Sequence, residues 1–164
     1  MSAFLAKLCL LGDSSVGKTS LVRRYVDNEF SDRYLMTIGA KISTKSITDK
    51  THAIKLMIWD IEGCSDYRQL SENYLKDSTA AIIVSDISNP KSIENMQDHI
   101  DNYLKYNPKS KIYLTLNKSD LKQSEEIIQN TEKMYPQKTL HQCSAKSGNG
   151  VKELFDKIAQ NLIP

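Results

Sequence analysis

The sequence predicts an α/β fold: a three-layer sandwich with a mostly parallel six-stranded sheet, one antiparallel edge hairpin, and helices on both faces. Three observations carry this expectation. Short apolar runs alternate with segments of helical periodicity, the pattern of parallel strands joined by crossover helices. The first apolar run ends in a glycine-bounded loop that opens a helix. Two consecutive strand-like runs flank Asp49-Lys50, and so short a connection permits only an antiparallel hairpin.

The elements follow in order. Ala3–Leu11 is largely apolar around Lys7 and runs straight into the loop, so it reads as a buried strand rather than a leader peptide. The loop Gly12–Lys18 precedes a helix that reaches about Asp27, and Asn28–Gly39 is polar and irregular. Strands are expected at about Ala40–Thr48 and Thr51–Ile61. The continuous run Ala80–Asp86 suits a central parallel strand. Ile93, Met96, Ile100 and Leu104 recur at helical spacing; Ile112–Leu116 and Leu140–Cys143 are the last strands. Val151, Leu154, Phe155, Ile158 and Leu162 line one face of a closing helix, with Asn149-Gly150 as its lead-in turn.

At 164 residues the chain suits a single domain, 1–164, with one substantial core. A formal charge of +2 gives no reason to expect nucleic acid, and no apolar stretch is long enough to insert into a membrane. Cys9, Cys64 and Cys143 form no paired spacing, which speaks for reduced thiols in the cytoplasm rather than a zinc or disulfide framework.

The chemistry sits on the loops. Gly12-Asp13-Ser14-Ser15-Val16-Gly17-Lys18-Thr19 fits G-x-x-x-x-G-K-[ST] in full, the P-loop pattern of nucleoside triphosphatases. Glycines admit tight turns, successive amides form an anion cradle, and the helix adds its positive dipole end. Lys18 supplies a point charge for the β- and γ-phosphates, and the Thr19 hydroxyl is placed for Mg²⁺.

Asn117-Lys118-Ser119-Asp120 follows a strand and suits guanine. A carboxylate at Asp120 accepts from the N1–H and 2-amino group of guanine. Adenine has neither donor and would leave that acceptor unpaired, at a cost of at least ~1–3 kcal/mol. The Lys118 stem can lie along the base, and Asn117 can tie this loop to the phosphate loop. After the last strand, Ser144-Ala145-Lys146 offers the Ala145 amide to the guanine carbonyl, with Lys146 packed over the base. An ordinary polar turn is the plain alternative for Asn117 and Asp120.

With these motifs in place, the chain from Lys7 to about Ala159 resembles the Ras superfamily of small GTPases, and within it the Rab branch. The resemblance implies a GTP/GDP-binding switch with Mg²⁺. Its nucleotide contacts would run through Ser14, Ser15, Val16, Gly17, Lys18, Thr19 and Ser20. Thr37 looks like the threonine that ligates Mg²⁺ and touches the γ-phosphate. Phe30 looks like the aromatic beside the base, and Tyr34 like the tyrosine that closes over the phosphates; a plain loop hydroxyl at Thr37 and anchoring aromatics at Phe30 and Tyr34 are the alternatives. Asp60 would hold Mg²⁺ through a water, and Gly63 would donate its amide to the γ-phosphate. Lys18, Thr37 and Gly63 would serve catalysis. Ile42, Trp59 and Tyr74 fall where Rab proteins keep an apolar triad read by effectors and regulators; plain strand packing is the alternative for Trp59. The resemblance also implies a monomer, and a role in trafficking or signalling. Membrane association would need a lipidated tail beyond Pro164.

The second loop departs from the family's D-T-A-G-Q-E: it reads Asp60-Ile61-Glu62-Gly63-Cys64-Ser65. Cys64 stands where a glutamine orients the attacking water, and a thiol is a poor donor and acceptor. Glu62 brings a carboxylate near the γ-phosphate unless it turns outward. Ras with its glutamine already hydrolyses GTP on the order of 10⁻⁴ s⁻¹ unaided, so slower hydrolysis is expected here. Lys41 and Ile42 replace an acid and an aromatic usual in Rab proteins. Two functions follow: a slowly hydrolysing switch, or a GTP-locked, hydrolysis-deficient interaction module. A P-loop kinase is disfavoured by Asn117–Asp120 and by the lack of an arginine-rich lid.

Overall fold

The computed structural model describes residues 3–34, 36–48, 51–63, 72–121 and 125–163. In chain order the elements are β1 (Phe4–Leu11), α1 (Lys18–Asp27), β2 (Ala40–Thr48), β3 (Ala53–Ile61), α2 (Glu72–Leu75), β4 (Ala80–Asp86), α3 (Pro90–Glu94), α4 (Met96–Tyr106), β5 (Lys111–Asn117), α5 (Glu125–Met134), β6 (Thr139–Gln142) and α6 (Val151–Leu162). They build one six-stranded sheet in the order β2-β3-β1-β4-β5-β6. β2 runs antiparallel to β3 and every other pairing is parallel.

The strand period of two divides the core. Leu8 and Leu10 enter an apolar cluster with α1 and α6, while Cys9 and Leu11 enter another with α4. β4 is buried along its whole length, which is why it reads as a continuous apolar run. The expected stripe of α6 is buried at Val151, Leu154, Phe155, Ile158 and Leu162. Phe155 stacks on Tyr25 of α1 with ring centroids 4.2 Å apart.

Several elements differ from the sequence expectation, among them the short helix α2, which it does not contain. The β2–β3 ladder ends at Thr48↔Ala53, so residues 49–52 join the strands in place of a two-residue turn; Asp49 and Lys50 themselves lie outside the described residues. The pattern from Ile93 to Leu104 covers two helices, α3 and α4, which meet at Asn95. Helix α5 has Thr131 as its one fully buried residue, with Ile127 and Ile128 only partly covered, so its apolar stripe is too thin to stand out. The carboxyl ends of β1, β3, β5 and β6 share one edge of the sheet, the side where such folds place their ligands.

Candidate functional site

The loop after β1 is shaped by backbone that only certain residues adopt. Gly12 has φ 149°, and a Cβ there would lie 2.2 Å from the Val84 carbonyl oxygen. Gly17 has φ 96°, and its Cβ would lie 2.3 Å from Asn117 Nδ2. Side chains are therefore excluded on both sides of the turn. Val16 packs its side chain into the core, leaving only its backbone to the loop. Gly17 brings no side-chain acceptor to the first turn of α1, so that turn's amides and dipole face the cleft. Lys18 is 5% exposed. Its ammonium donates to the carbonyls of Gly12 at 2.9 Å and Asp13 at 2.8 Å, lying across the loop. The cleft beneath measures about 870 Å³ and is lined by Ser14, Lys18, Phe30, Tyr34, Asp120 and Lys146 among others; Ser15, Gly17, Thr19, Ser20, Thr37 and Gly63 also border it.

Three oxygen donors from separate segments meet at its inner end. The Thr19 hydroxyl donates to Asp60 Oδ2 at 2.6 Å and lies 2.7 Å from the Thr37 hydroxyl, which is 3.5 Å from the same carboxylate oxygen. Asp60 is 1% exposed and its Oδ1 has no hydrogen-bond partner among the described residues. Burial pushes the Asp60 carboxyl above its usual range, against the opposing pull of Thr19, Lys18, Lys41 and Thr37. An unpartnered buried carboxylate oxygen beside two hydroxyls is the donor set of a hard cation such as Mg²⁺. The cluster is one carboxylate and two hydroxyls; among the described residues no group of three or more His, Cys, Asp and Glu gathers as a metal centre, here or elsewhere. The remaining positions around a cation here would fall to phosphate oxygens and water.

On the opposite side, Asn117 is buried and bridges two loops. Its Nδ2 donates to the Val16 carbonyl at 2.9 Å, and its Oδ1 accepts the Ala145 amide at 3.2 Å. The amide expected to face the base is thus directed at Asn117. Lys118, at φ 64°, donates to the Ser15 carbonyl at 2.9 Å and pairs with Asp86 at 2.7 Å. Burial alone would raise the Asp86 carboxyl, but Lys118 and Ser88 outweigh it and hold it below the usual range. Asp120 stands exposed at the cleft, its Oδ1 accepting the buried Ser144 hydroxyl at 2.6 Å. Arg24 of α1 donates to the carbonyls of Ala145 at 2.8 Å and Lys146 at 2.7 Å, fastening the last loop.

The first irregular loop brings Phe30 half-buried against the α1–α6 cluster, while Tyr34 is 61% exposed at the rim. Gly63 packs on the phosphate loop: a Cβ there would lie 2.6 Å from Ser14 Cα, and the Ser14 hydroxyl donates to the Gly63 carbonyl at 2.8 Å. The Glu62 carboxylate accepts the Gly39 amide at 3.0 Å. Cys64 lies outside the described residues. Ile42, 51% exposed, stands opposite Trp59 in the β2–β3 register. The Lys7 ammonium sits 4.0 Å from the Trp59 ring centroid, and Tyr74 is half-buried in the same cluster as Trp59. Cys9 and Cys143 are buried, which pushes their thiols to about 11 and about 12 and leaves them little thiolate.

Sequence reasoning also missed a network around Asp13. Asp13 of the phosphate loop accepts from Asn95 at 2.7 Å and lies 2.9 Å from His99 Nε2, anchoring the loop to α4. No local signal links residues so far apart in the chain.

The sequence matches the Ras family over residues 7–163. It is 36% identical over 163 residues to the Ras-related protein RabJ of Dictyostelium discoideum, covering 96% of this chain and 63% of that protein. It is 36% identical over 162 residues to the GTP-binding protein ypt5 of Schizosaccharomyces pombe, covering 95% and 77% of the two chains. With the Ras-related protein Rab-22A of Mus musculus it shares 33% over 161 residues, 95% of this chain and 82% of that one. The chain thus spans less than two thirds of RabJ and more of the other two. A phosphate loop at the end of β1, an oxygen cluster at Thr19, Thr37 and Asp60, and a match along nearly the full length agree: the chain belongs to the Ras family and is Rab-like within it.

Proposed function

We propose that this chain binds GTP and GDP with Mg²⁺ as a Rab-like switch, and that it hydrolyses GTP slowly. The observation that carries the reading is the meeting of Thr19, Thr37 and the unpartnered Asp60 oxygen beside Lys18 and the first turn of α1. When bound, Mg²⁺ neutralises charge on the β- and γ-phosphate oxygens. Thr19 and Thr37 would supply direct oxygen ligands, and Asp60 would hold a ligand water. Lys18 would set its ammonium against the phosphates, and the amides of residues 14–20 and Gly63 would donate to their oxygens. Asp120 would select guanine. A carboxylate has about four lone-pair sites, so the Ser144 bond leaves room for the two guanine donors. Lys118 and Lys146 would pack along the base, and Phe30 and Tyr34 would cover the ligand, while the Ala145 amide stays bonded to Asn117 and holds the last loop in place.

Slow hydrolysis rests on Cys64, which lacks the amide that holds an attacking water in line. The same substitution favours the second reading, a GTP-locked interaction module. In either case effectors and regulators would dock on the Ile42, Trp59 and Tyr74 surface of a monomer. Rab-named relatives support a place in membrane trafficking, reached through a lipidated tail if the chain continues; among the described residues no helix is long and apolar enough to cross a membrane.

Calorimetry with Mg²⁺ present tests the binding: GTP and GDP should bind tightly and ATP should not. Comparable ATP affinity would remove Asp120 from its role. Single-turnover hydrolysis by GTP-loaded protein should fall below the order of 10⁻⁴ s⁻¹ and rise with Cys64→Gln. A rate at or above that level in the unaltered protein refutes the slow-hydrolysis part.

A further inference from the structure

We propose that Glu62 is a positioning residue whose carboxylate latches the first loop to the second. The latch holds Thr37 over the cation site with less help from a γ-phosphate than the family's usual sequence requires. The inference rests on the nucleotide reading for what the loop closes over; the latch is a contact within the chain.

The β2–β3 ladder pairs Ala40 with Ile61. One residue further on, the Glu62 amide donates to the Gly39 carbonyl at 2.8 Å. The Glu62 carboxylate then returns to accept the Gly39 amide at 3.0 Å. One residue therefore takes both backbone polar groups of Gly39, the second through a charge-assisted hydrogen bond, the stronger class. Gly39 has φ 71°, and a Cβ there would approach the Tyr74 hydroxyl to 3.0 Å, so this point of the loop is seated against Tyr74 as well. Only Ile38 separates it from Thr37. Fixing Gly39 leaves the Thr37 hydroxyl a short reach, which ends 2.7 Å from Thr19. An alanine at position 62, as in D-T-A-G-Q-E, has no acceptor and cannot make the second bond.

A ligand shifts a loop only by its differential interaction with the two loop states. If the chain's own carboxylate already favours the closed state, the γ-phosphate has less left to change. The loop beside Ile42 would then hold similar order with GDP and with GTP.

Hydrogen exchange at the Gly39 amide and across residues 36–41 reads this directly. The protein, Glu62→Ala and Glu62→Gln would each be compared loaded with GDP and with β,γ-imido-GTP. The unaltered protein should exchange equally slowly in both forms. Glu62→Ala should speed exchange by about tenfold or more with GDP and by much less with the triphosphate, and Glu62→Gln, a neutral acceptor, should fall between. Equal acceleration in both forms would reduce Glu62 to a structural role, and no acceleration would remove the latch; either overturns the proposal, as would fast GDP-form exchange in the unaltered protein. If Glu62→Ala does not fold, Glu62→Gln decides alone. If neither nucleotide binds, the functional reading fails by itself, while Gly39 exchange in the protein as purified still reports the latch.

Discussion

Asn117 needs both ends of its side chain. Its Nδ2 donates to Val16 in the phosphate loop and its Oδ1 accepts from Ala145 in the last loop, all at buried atoms. An aspartate would turn an acceptor toward the Val16 carbonyl, and a leucine would satisfy neither loop. Asn117→Ala should leave a carbonyl and an amide buried without partners. A loss of about 2–3 kcal/mol in urea unfolding is expected, with weaker GTP binding by calorimetry as the loops part. A stability change within error would show that water takes over both bonds and that the bridge is dispensable. This residue was half legible in the sequence. Its position after a strand in Asn117-Lys118-Ser119-Asp120 suggested a tie to the phosphate loop, because that pattern is contiguous and its chemistry local. Its second partner, 28 residues further on, was not readable, nor was the Ser144 hydroxyl beneath Asp120. The sequence leaves Glu62 either near the γ-phosphate or turned outward, and its partner, the Gly39 amide, is placed only once β2 and β3 pair.

Among the elements, α4 is where legibility and consequence part. Its apolar stripe was visible at Met96 and Ile100, but the break at Asn95 was not, since nothing in the stripe marks it; the Asn95 side chain there donates to Asp13 in the loop after β1. Helix α6 was fully legible, since a wide stripe on an amphipathic helix needs no knowledge of its partner. The polar inner end of α4 carries a pH dependence. His99 is 3% exposed with Nε2 at 2.9 Å from Asp13. Burial lowers its pKa; Asp13 and Asp98 raise it, Lys18 lowers it further, and the balance lies below the ordinary value. The unfolded chain protonates its histidine near ~6.5, so below that pH the unfolded state binds more protons than the folded one. Stability should therefore be full above the unfolded value and decline as pH falls through it toward the folded value. Urea unfolding at pH 7 and pH 5 checks the sign. His99→Gln, which keeps a donor for Asp13 but does not titrate, should flatten the decline; an equal decline in that variant assigns it to other groups.

For the whole molecule, the loops after β1, β3, β5 and β6 and the start of α1 converge on one cleft, and none of them forms a site in the unfolded chain. A ligand that binds only the folded state adds stability as the logarithm of its concentration over Kd, about 4 kcal/mol at a thousandfold excess. In a chain of 164 residues each kcal/mol moves Tm by about 2–4 °C. Stripping nucleotide and Mg²⁺ with a chelator should thus lower Tm by roughly 10 °C, and GTP with Mg²⁺ should restore it. The choice of added ligand separates the two sides of the cleft. An anion held only by the phosphate loop would protect whether it came from ATP, pyrophosphate or GTP, because the cradle of amides and Lys18 does not see the base. Protection by GTP alone requires the far wall, where Asp120 is held by Ser144 and Asn117 fixes the distance between the loops. Asp120→Ala should then lose the preference for GTP while keeping the response to pyrophosphate. Equal protection by ATP in the unaltered protein would leave the phosphate loop standing and dismiss the base wall. No protection by any of them would dismiss the cleft as a nucleotide site altogether.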